Sequence, residues 1–172
     1  MPTVSLKEIQ IRLGVPQHVL IHLCEKGVIE PEYAEASGRG KRREFSRRNL
    51  FEFGVAVALR RLELPVATTG LVIRVLRSLG VALRKAAPGF GWPEDLLAGR
   101  VELDLHLFDG DLLVLAGEGA GLKRPWLIGS RIGGVLGATV AKPRVVRLTQ
   151  LPDQFEARLT VKLGEFAKKV LK

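Results

Sequence analysis

The chain has 172 residues, of which 47% are hydrophobic and 26% are charged, a balance typical of a folded globular protein rather than a disordered one. Its formal net charge of +9 at pH 7 favours polyanionic partners, above all nucleic acid. Cys24 is the only cysteine, which excludes an intramolecular disulfide and multi-cysteine zinc motifs. No apolar run approaches the roughly 20 residues of a membrane span. We therefore expect no membrane association and a cytoplasmic location, and we find no motif for a cofactor.

The first predicted element is a short helix over residues 6–13. Ser5 and Glu8 have the spacing of a capping box, in which the serine oxygen accepts a backbone hydrogen bond and the glutamate reaches back. Apolar residues recur behind them at helical spacing. Gly14 would end this helix, because glycine adopts left-handed dihedral angles without strain.

A second helix is predicted to follow at once. Pro16 suits its first turn, and Gly27 is a suitable end. An apolar stripe along this helix consists of Val19, Leu20 and Leu23. Its opposite side is mainly polar and includes Gln17, His18, Ile21, His22 and Glu25. Two short helices joined at a glycine predict a helix-turn-helix.

Residues 38–48 read GRGKRREFSRR, with six basic side chains in eleven positions. The patterns at 28–33 and 43–45 look extended, and the glycines between them permit a tight turn. The sequence therefore predicts a two-stranded hairpin with a basic tip, a wing. Ser46 would cap the next helix. Taken alone, such a stretch is more often a solvated loop, but its place after two short helices favours a binding role.

Two longer helices are predicted next, the first with a stripe of Phe51, Val55, Ala58 and Leu62 and the second over residues 67–86. The segment PGFGWP at 88–93 then ends the helical pattern. Beyond it the apolar period changes to two over residues 101–108. Further strands are predicted at 112–115, 126–132 and 144–148, and a last helix at 153–171 with Phe155, Leu159, Leu163 and Phe166 or Val170 on its buried side.

This order of elements predicts an α+β chain in two parts. Residues 1–87 would form a mainly helical domain and 88–93 a linker. Residues 94–172 would form a small α+β domain with an antiparallel sheet and a C-terminal helix.

Three segments of the first part, SLKEIQIRLGVP, EKGVIEP and REFS, occur in one order along the chain. In that order they resemble the DNA-binding domain of MerR-family transcription regulators, over about residues 3–80. The resemblance implies a winged helix-turn-helix fold and a sequence-specific transcription regulator that binds double-stranded DNA and is not an enzyme. The second part, which resembles no family that we recognise, would then mediate dimerisation, ligand sensing or partner binding, and the effector is left open.

The resemblance also implies which residues contact DNA. Contacts to phosphates would come from the wing and the start of the following helix, at Arg39, Lys41, Arg42, Arg43, Arg47 and Arg48. Base reading would fall to the second helix, at Gln17, His18 and His22, since glutamine suits adenine edges and histidine can donate to guanine.

Two alternatives remain open. MerR regulators usually carry an arginine and two aromatic residues in the second helix, where this chain has Ile21, His22 and Leu23. The hydrophobic residues Ile21 and Leu23 favour the first alternative, a protein-interaction or antitoxin-like module that has kept the MerR-like fold. The second alternative is an RNA-binding protein.

Four polar residues in the second part, Asp104, His106, Asp109 and Asp111, invite a metal or acid–base interpretation. Alternating polar residues are nevertheless expected on a half-buried strand, and aspartate is common beside turns. We therefore predict neither a metal site nor a catalytic site there.

Overall fold

The computed structural model describes residues 3–33, 43–86, 89, 91–108, 112–119, 126–131, 144–146 and 159–171. These residues form a mixture of helices and antiparallel strands, as the α+β expectation requires. In chain order the elements are β1 (Val4–Ser5), α1 (Leu6–Leu13), α2 (Gln17–Glu25), β2 (Glu44–Phe45), α3 (Arg47–Arg61), α4 (Val66–Ala86), α5 (Glu94–Leu97), β3 (Val101–Phe108), β4 (Leu112–Gly119), β5 (Trp126–Arg131), β6 (Arg144–Val146), β7 (Leu159–Lys162) and α6 (Leu163–Leu171).

Contacts divide the chain into two compact units. The first comprises Met1–Ile73 and Val170–Lys172, and the second comprises Arg74–Lys169. This division falls within α4, whereas the sequence places the domain boundary at 88–93. The predicted domain limits stay a prediction. Within the described ranges, no helix combines the length and the apolar character needed to cross a bilayer.

The predicted limits of α1 are confirmed, and local interactions explain them. The Ser5 hydroxyl accepts a hydrogen bond of 3.2 Å from the backbone N–H of Glu8. The Glu8 carboxylate accepts one of 2.9 Å from Nη2 of Arg12, one turn further on. Gly14 ends the helix with φ at 61°, the left-handed region that a side chain would disfavour.

Helix α2 packs its apolar stripe inward, since Leu20 and Leu23 are buried. Gly27 follows its end with φ at 66°. The backbone N–H groups of Val28 and Ile29 then both donate to the Leu23 carbonyl, at 2.9 and 3.3 Å. These bonds satisfy the end of α2 and turn the chain back into the core.

The predicted pairing of 28–33 with 43–45 is wrong in the described residues. Strand β2 pairs with β1, with Val4 opposite Phe45 and Ser5 opposite Glu44. Residues 28–33 contain no strand. The physical reason is that the amides of Val28 and Ile29 are already bonded to the end of α2, and both side chains are buried there.

Helix α3 forms the centre of the first unit. The Ser46 hydroxyl accepts a hydrogen bond of 3.1 Å from the Asn49 N–H, which confirms Ser46 as the N-cap. The ring of Phe53 contacts that of Phe45 edge-on, with centroids 5.2 Å apart. The predicted stripe is wrong at its last residue, because the helix ends at Arg61 and Leu62 is 46% exposed.

The second unit is built on a five-stranded antiparallel sheet of order β6-β5-β4-β3-β7. The predicted alternation along β3 is confirmed, with Val101, Leu103 and Leu105 buried. The turn between β3 and β4, predicted at Asp109 and Gly110, lies outside the described residues.

The predicted helix over 153–171 is wrong at Leu159–Lys162, which forms β7 beside β3. The apolar residues around Leu159 have helical spacing, but the backbone hydrogen bonds that this segment makes with the edge of β3 outweigh that preference. The helix begins only at Leu163, which is buried together with Ala167. The earlier part of the predicted helix, including Phe155, lies outside the described residues.

Trp92 anchors the segment between α4 and β3. A Cβ added at Gly80 of α4 would lie 3.2 Å from Cγ of Trp92, so glycine permits this close approach. The buried Asp95 accepts a hydrogen bond of 2.9 Å from the Gly91 N–H and one of 2.7 Å from Nε of Arg100. These contacts give the chain a fixed path into β3.

Candidate nucleic-acid interface

The outer side of α2 is open to solvent. Gln17, His18 and His22 are all exposed, while Leu20 and Leu23 hold the opposite side in the core. Gln17 starts the helix directly after Pro16, and His22 lies one turn beyond His18. The helix therefore presents one amide and two imidazoles within an arc of about 140°, which also includes the half-buried Ile21.

The positive charge of Arg43 acts on Cys24, in the last turn of this same helix. Burial raises the pKa of the Cys24 thiol to about 11, and the positive charge of Arg43 acts in the opposite direction. An interaction of this kind requires the guanidinium to be within electrostatic range of Cys24. The charge of Arg43, the residue before β2, therefore acts on the C-terminal end of α2.

The tip of the predicted wing falls outside the described residues, which stop at Tyr33 and resume at Arg43. Arg39, expected at the tip, and Lys41 and Arg42, expected on the return strand, all lie there. Their predicted contacts with phosphate stay a prediction.

The two ends of this basic segment meet at one buried side chain, Asn49 of α3. Its Oδ1 accepts hydrogen bonds from the backbone N–H groups of Glu32, at 2.9 Å, and Ser46, at 3.3 Å. Its Nδ2 donates to the Glu30 carbonyl at 2.9 Å and to the Glu52 carboxylate at 3.1 Å. Asn49 is fully buried, and its bonds fix the start and the end of the segment relative to each other.

Sequence reasoning missed Asn49, although a signal for it was present. Ser46 and Asn49 have the spacing of a capping box, and their reciprocal bonds form one. Its links to Glu30 and Glu32 join segments 17 to 19 residues apart in the chain, so no local pattern predicts them.

Arg48 is already paired within the protein. Its Nη2 lies 3.4 Å from Oε1 of Glu32, and its Nε lies 3.7 Å from Oε1 of Glu52. The Glu52 side chain is only 1% exposed, so its charge is compensated by Arg48 and by the Asn49 amide. A phosphate contact by Arg48 would compete with these two carboxylates.

Arg47 also has a partner within the first unit. Its Nη2 donates a hydrogen bond of 3.2 Å to the carbonyl of Leu171, which also accepts from Nη1 of Arg12 at 3.4 Å. Two arginines therefore donate to a carbonyl in the last turn of α6, where helical carbonyls have no partner within the helix. Of the predicted phosphate-binding residues that the structure describes, Arg43 alone lies outside these two clusters.

The second unit contains a polar cavity of about 240 Å³ lined by side chains of both charges, among them Glu102, Asp104, Lys162, Glu165 and Lys168. Burial lowers the pKa of the neighbouring His106, and Asp104 opposes that shift. In the described part of the chain, no three His, Cys, Asp or Glu side chains are arranged to hold a metal ion. Asp109 and Asp111 lie outside it.

Comparison with known proteins finds no matching family model, no matching curated protein and no matching solved structure.

Proposed function

We propose that this chain is a DNA-binding transcription regulator whose first unit contacts duplex DNA through a MerR-like helix-turn-helix and the basic segment that follows it. The observation that carries the proposal is the exposure of Gln17, His18 and His22 on α2, and the positive charge of Arg43, which acts on Cys24 in the last turn of that helix, supports it. A helix of this kind fits the major groove, and an adjacent arginine can bind the phosphates at its edge.

The contacts to bases and the contact to phosphate would have different roles. Gln17, His18 and His22 would read base edges, because amide and imidazole groups can form directed hydrogen bonds there. Arg43 would position the protein through a phosphate contact that carries little sequence information. Asn49 supports the phosphate contact, since it fixes the chain on either side of the basic segment.

Burial of Leu23 weakens the main alternative. A protein-interaction module was motivated by hydrophobic residues in α2, yet Leu23 is 2% exposed and belongs to the core, and Ile21 is half-buried. The fully exposed residues of α2 are polar, which favours a hydrated, directional contact such as a DNA groove. Dimerisation or effector sensing by the second unit is part of the proposal and rests on the resemblance alone.

A salt titration tests the proposal. Binding of a labelled duplex should weaken steeply with added salt, and Arg43→Ala should make the slope of log K against log salt shallower by about 0.9, because one phosphate is no longer neutralised. Arg61→Ala is a matched control: it removes the same charge at the other end of α3, about 20 Å from Arg47 at 1.5 Å per residue. Equal slopes for the two variants would contradict the proposal, and so would a wild-type protein that fails to bind at low salt.

Base reading needs a second measurement. The protein would first select fragments from a random duplex library, and the selected sequence would then be tested with His22→Ala. We expect this variant to lose roughly 1–3 kcal/mol of discrimination at one base position while keeping its salt slope. A uniform loss over all sequences would instead assign His22 to the phosphate backbone.

A further inference from the structure

The basic residues of α4 lie on one side of the helix. This 21-residue helix contains no aspartate or glutamate. At 3.6 residues per turn, Arg74, Arg77 and Arg84 fall with Ser78 and Val81 within one arc of about 120°. We call this side the basic face of α4.

Most described side chains of the basic face are exposed, with Arg77 half-buried, and described apolar residues on the opposite side are buried. Arg74, Ser78 and Arg84 are exposed, and Val81 is 46% exposed in the middle of the face. On the other side, Val75 and Leu76 are buried. These apolar residues thus pack into the protein core, and the exposed side chains of the basic face include the positive charges of Arg74 and Arg84.

The spacing of the arginines suits an extended anion. Arg74 and Arg84 are separated by about 15 Å along the axis, at 1.5 Å per residue. One strand of a duplex places a phosphate charge about every 3.4 Å of axis, so several phosphates fall within this span. Each guanidinium can grip two phosphate oxygens at once.

A phospholipid surface fits this face less well. Helices that lie on membranes insert an apolar side between the lipids, whereas the described apolar residues opposite the basic face, such as Val75 and Leu76, are already buried. We propose that the basic face of α4 is a second phosphate-binding surface for duplex DNA, located in the second unit. The inference rests on the proposed function and adds a contact that the resemblance does not include.

The test uses the full chain and a mixed-sequence duplex of about 40 base pairs, titrated between about 50 and 200 mM salt. In the double variant Arg74→Gln/Arg84→Gln, glutamine preserves helix propensity, so the fold should survive. Removal of two phosphate-binding groups should make the slope of log K against log salt shallower by about 1.8. The control Lys168→Gln/Lys169→Gln removes two exposed charges from the last turn of α6 and should leave the slope unchanged.

The possible outcomes separate this inference from the proposed function. If Arg43→Ala reduces the slope and the α4 variant matches the α6 control, the basic face is not a phosphate surface although the first unit still binds DNA. If the wild-type protein binds no duplex, both proposals fail. If the α4 variant loses binding only to vesicles rich in anionic lipid, the partner is a membrane and the inference is overturned. Should the double variant fail to fold, Arg74→Gln alone carries the test, with an expected change of about 0.9.

Discussion

Asn49 of α3 accepts a hydrogen bond of 2.9 Å from the backbone N–H of Glu32, across 17 residues of chain. The same side chain donates to the Glu52 carboxylate, which is almost completely buried. Replacing the donor group by an oxygen would therefore place two carboxylates about 3 Å apart in a buried site, where one of them cannot stay ionised without a large cost.

We predict that Asn49→Asp destabilises the first unit by roughly 3 kcal/mol, because the buried Glu52 loses a donor and gains a repulsive neighbour. Urea unfolding monitored by circular dichroism measures this difference. The matched variant Asn49→Asp/Glu52→Gln restores a donor opposite the new carboxylate and should recover about half of the loss. Strictly additive effects of the two substitutions would contradict the proposed contact.

A second prediction concerns the end of α1. Gly14 has φ at 61°, and a Cβ added there would meet no atom within 4 Å, so the cost of Gly14→Ala is purely conformational. We expect a loss of about 1–2 kcal/mol in the free energy of unfolding, the cost of the left-handed region for a residue with a Cβ.

Gly164→Ala is the control for this prediction. Gly164 lies within α6, and its added Cβ would be 3.6 Å from the Leu96 carbonyl, an ordinary van der Waals contact. The same substitution should there be neutral or stabilising by up to about 1 kcal/mol. Equal losses at the two positions would show that packing, and not backbone conformation, decides the effect.

The parts of the fold that the sequence predicts are those that neighbouring residues decide. The ends of α1 follow from Ser5 and Gly14, and the start of α3 follows from Ser46, because a cap bonds to a backbone group within a few residues. The alternation along β3 is equally local and equally visible.

The errors arise where distant parts of the chain compete for the same backbone groups. Strand β2 pairs with β1, about forty residues away, since the segment expected beside it is already bonded to α2. Residues 159–162 have a helical apolar spacing but complete the edge of β3. Sequence spacing cannot rank such pairings, because the stabilising hydrogen bonds are made with a strand that is distant in the sequence.

In the candidate site, too, the features set by neighbouring residues could be predicted and those set by distant residues could not. The exposure of Gln17, His18 and His22 follows from the apolar stripe of α2 and was predictable. The partners of Arg47 and Arg48 could not be predicted in this way. Leu171 and Glu32 are remote from them in sequence, and only Glu52 lies within one helical turn of Arg48.

A third prediction concerns the stability of the first unit in alkali. The pKa of Cys24 rises from its ordinary value of 9.0 to about 11, chiefly because burial disfavours the thiolate. The unfolded chain therefore releases this proton first, so the contribution of Cys24 to stability is complete below pH 9 and is lost as the pH rises toward 11. The thermal midpoint of the wild-type protein should fall more steeply over this window than that of Cys24→Ala, whatever the difference between them at neutral pH. Parallel curves would contradict the shift.

The last prediction places the opposite pH dependence in the second unit. Burial lowers the pKa of His106 below its ordinary 6.5, while the Asp104 carboxylate acts to raise it. Since the unfolded chain accepts the proton more readily, the contribution of His106 to stability is present above pH 6.5 and is lost as the pH falls through the lowered value. The nuclear magnetic resonance titration of the His106 ring, identified by its loss in His106→Gln, should show a midpoint below 6.5. Asp104→Asn removes the opposing charge and should move this midpoint still lower, and His106→Gln should flatten the fall of the thermal midpoint in acid. A midpoint above 6.5, or one that rises in Asp104→Asn, would mean that His106 is solvated and that Asp104 does not act on it.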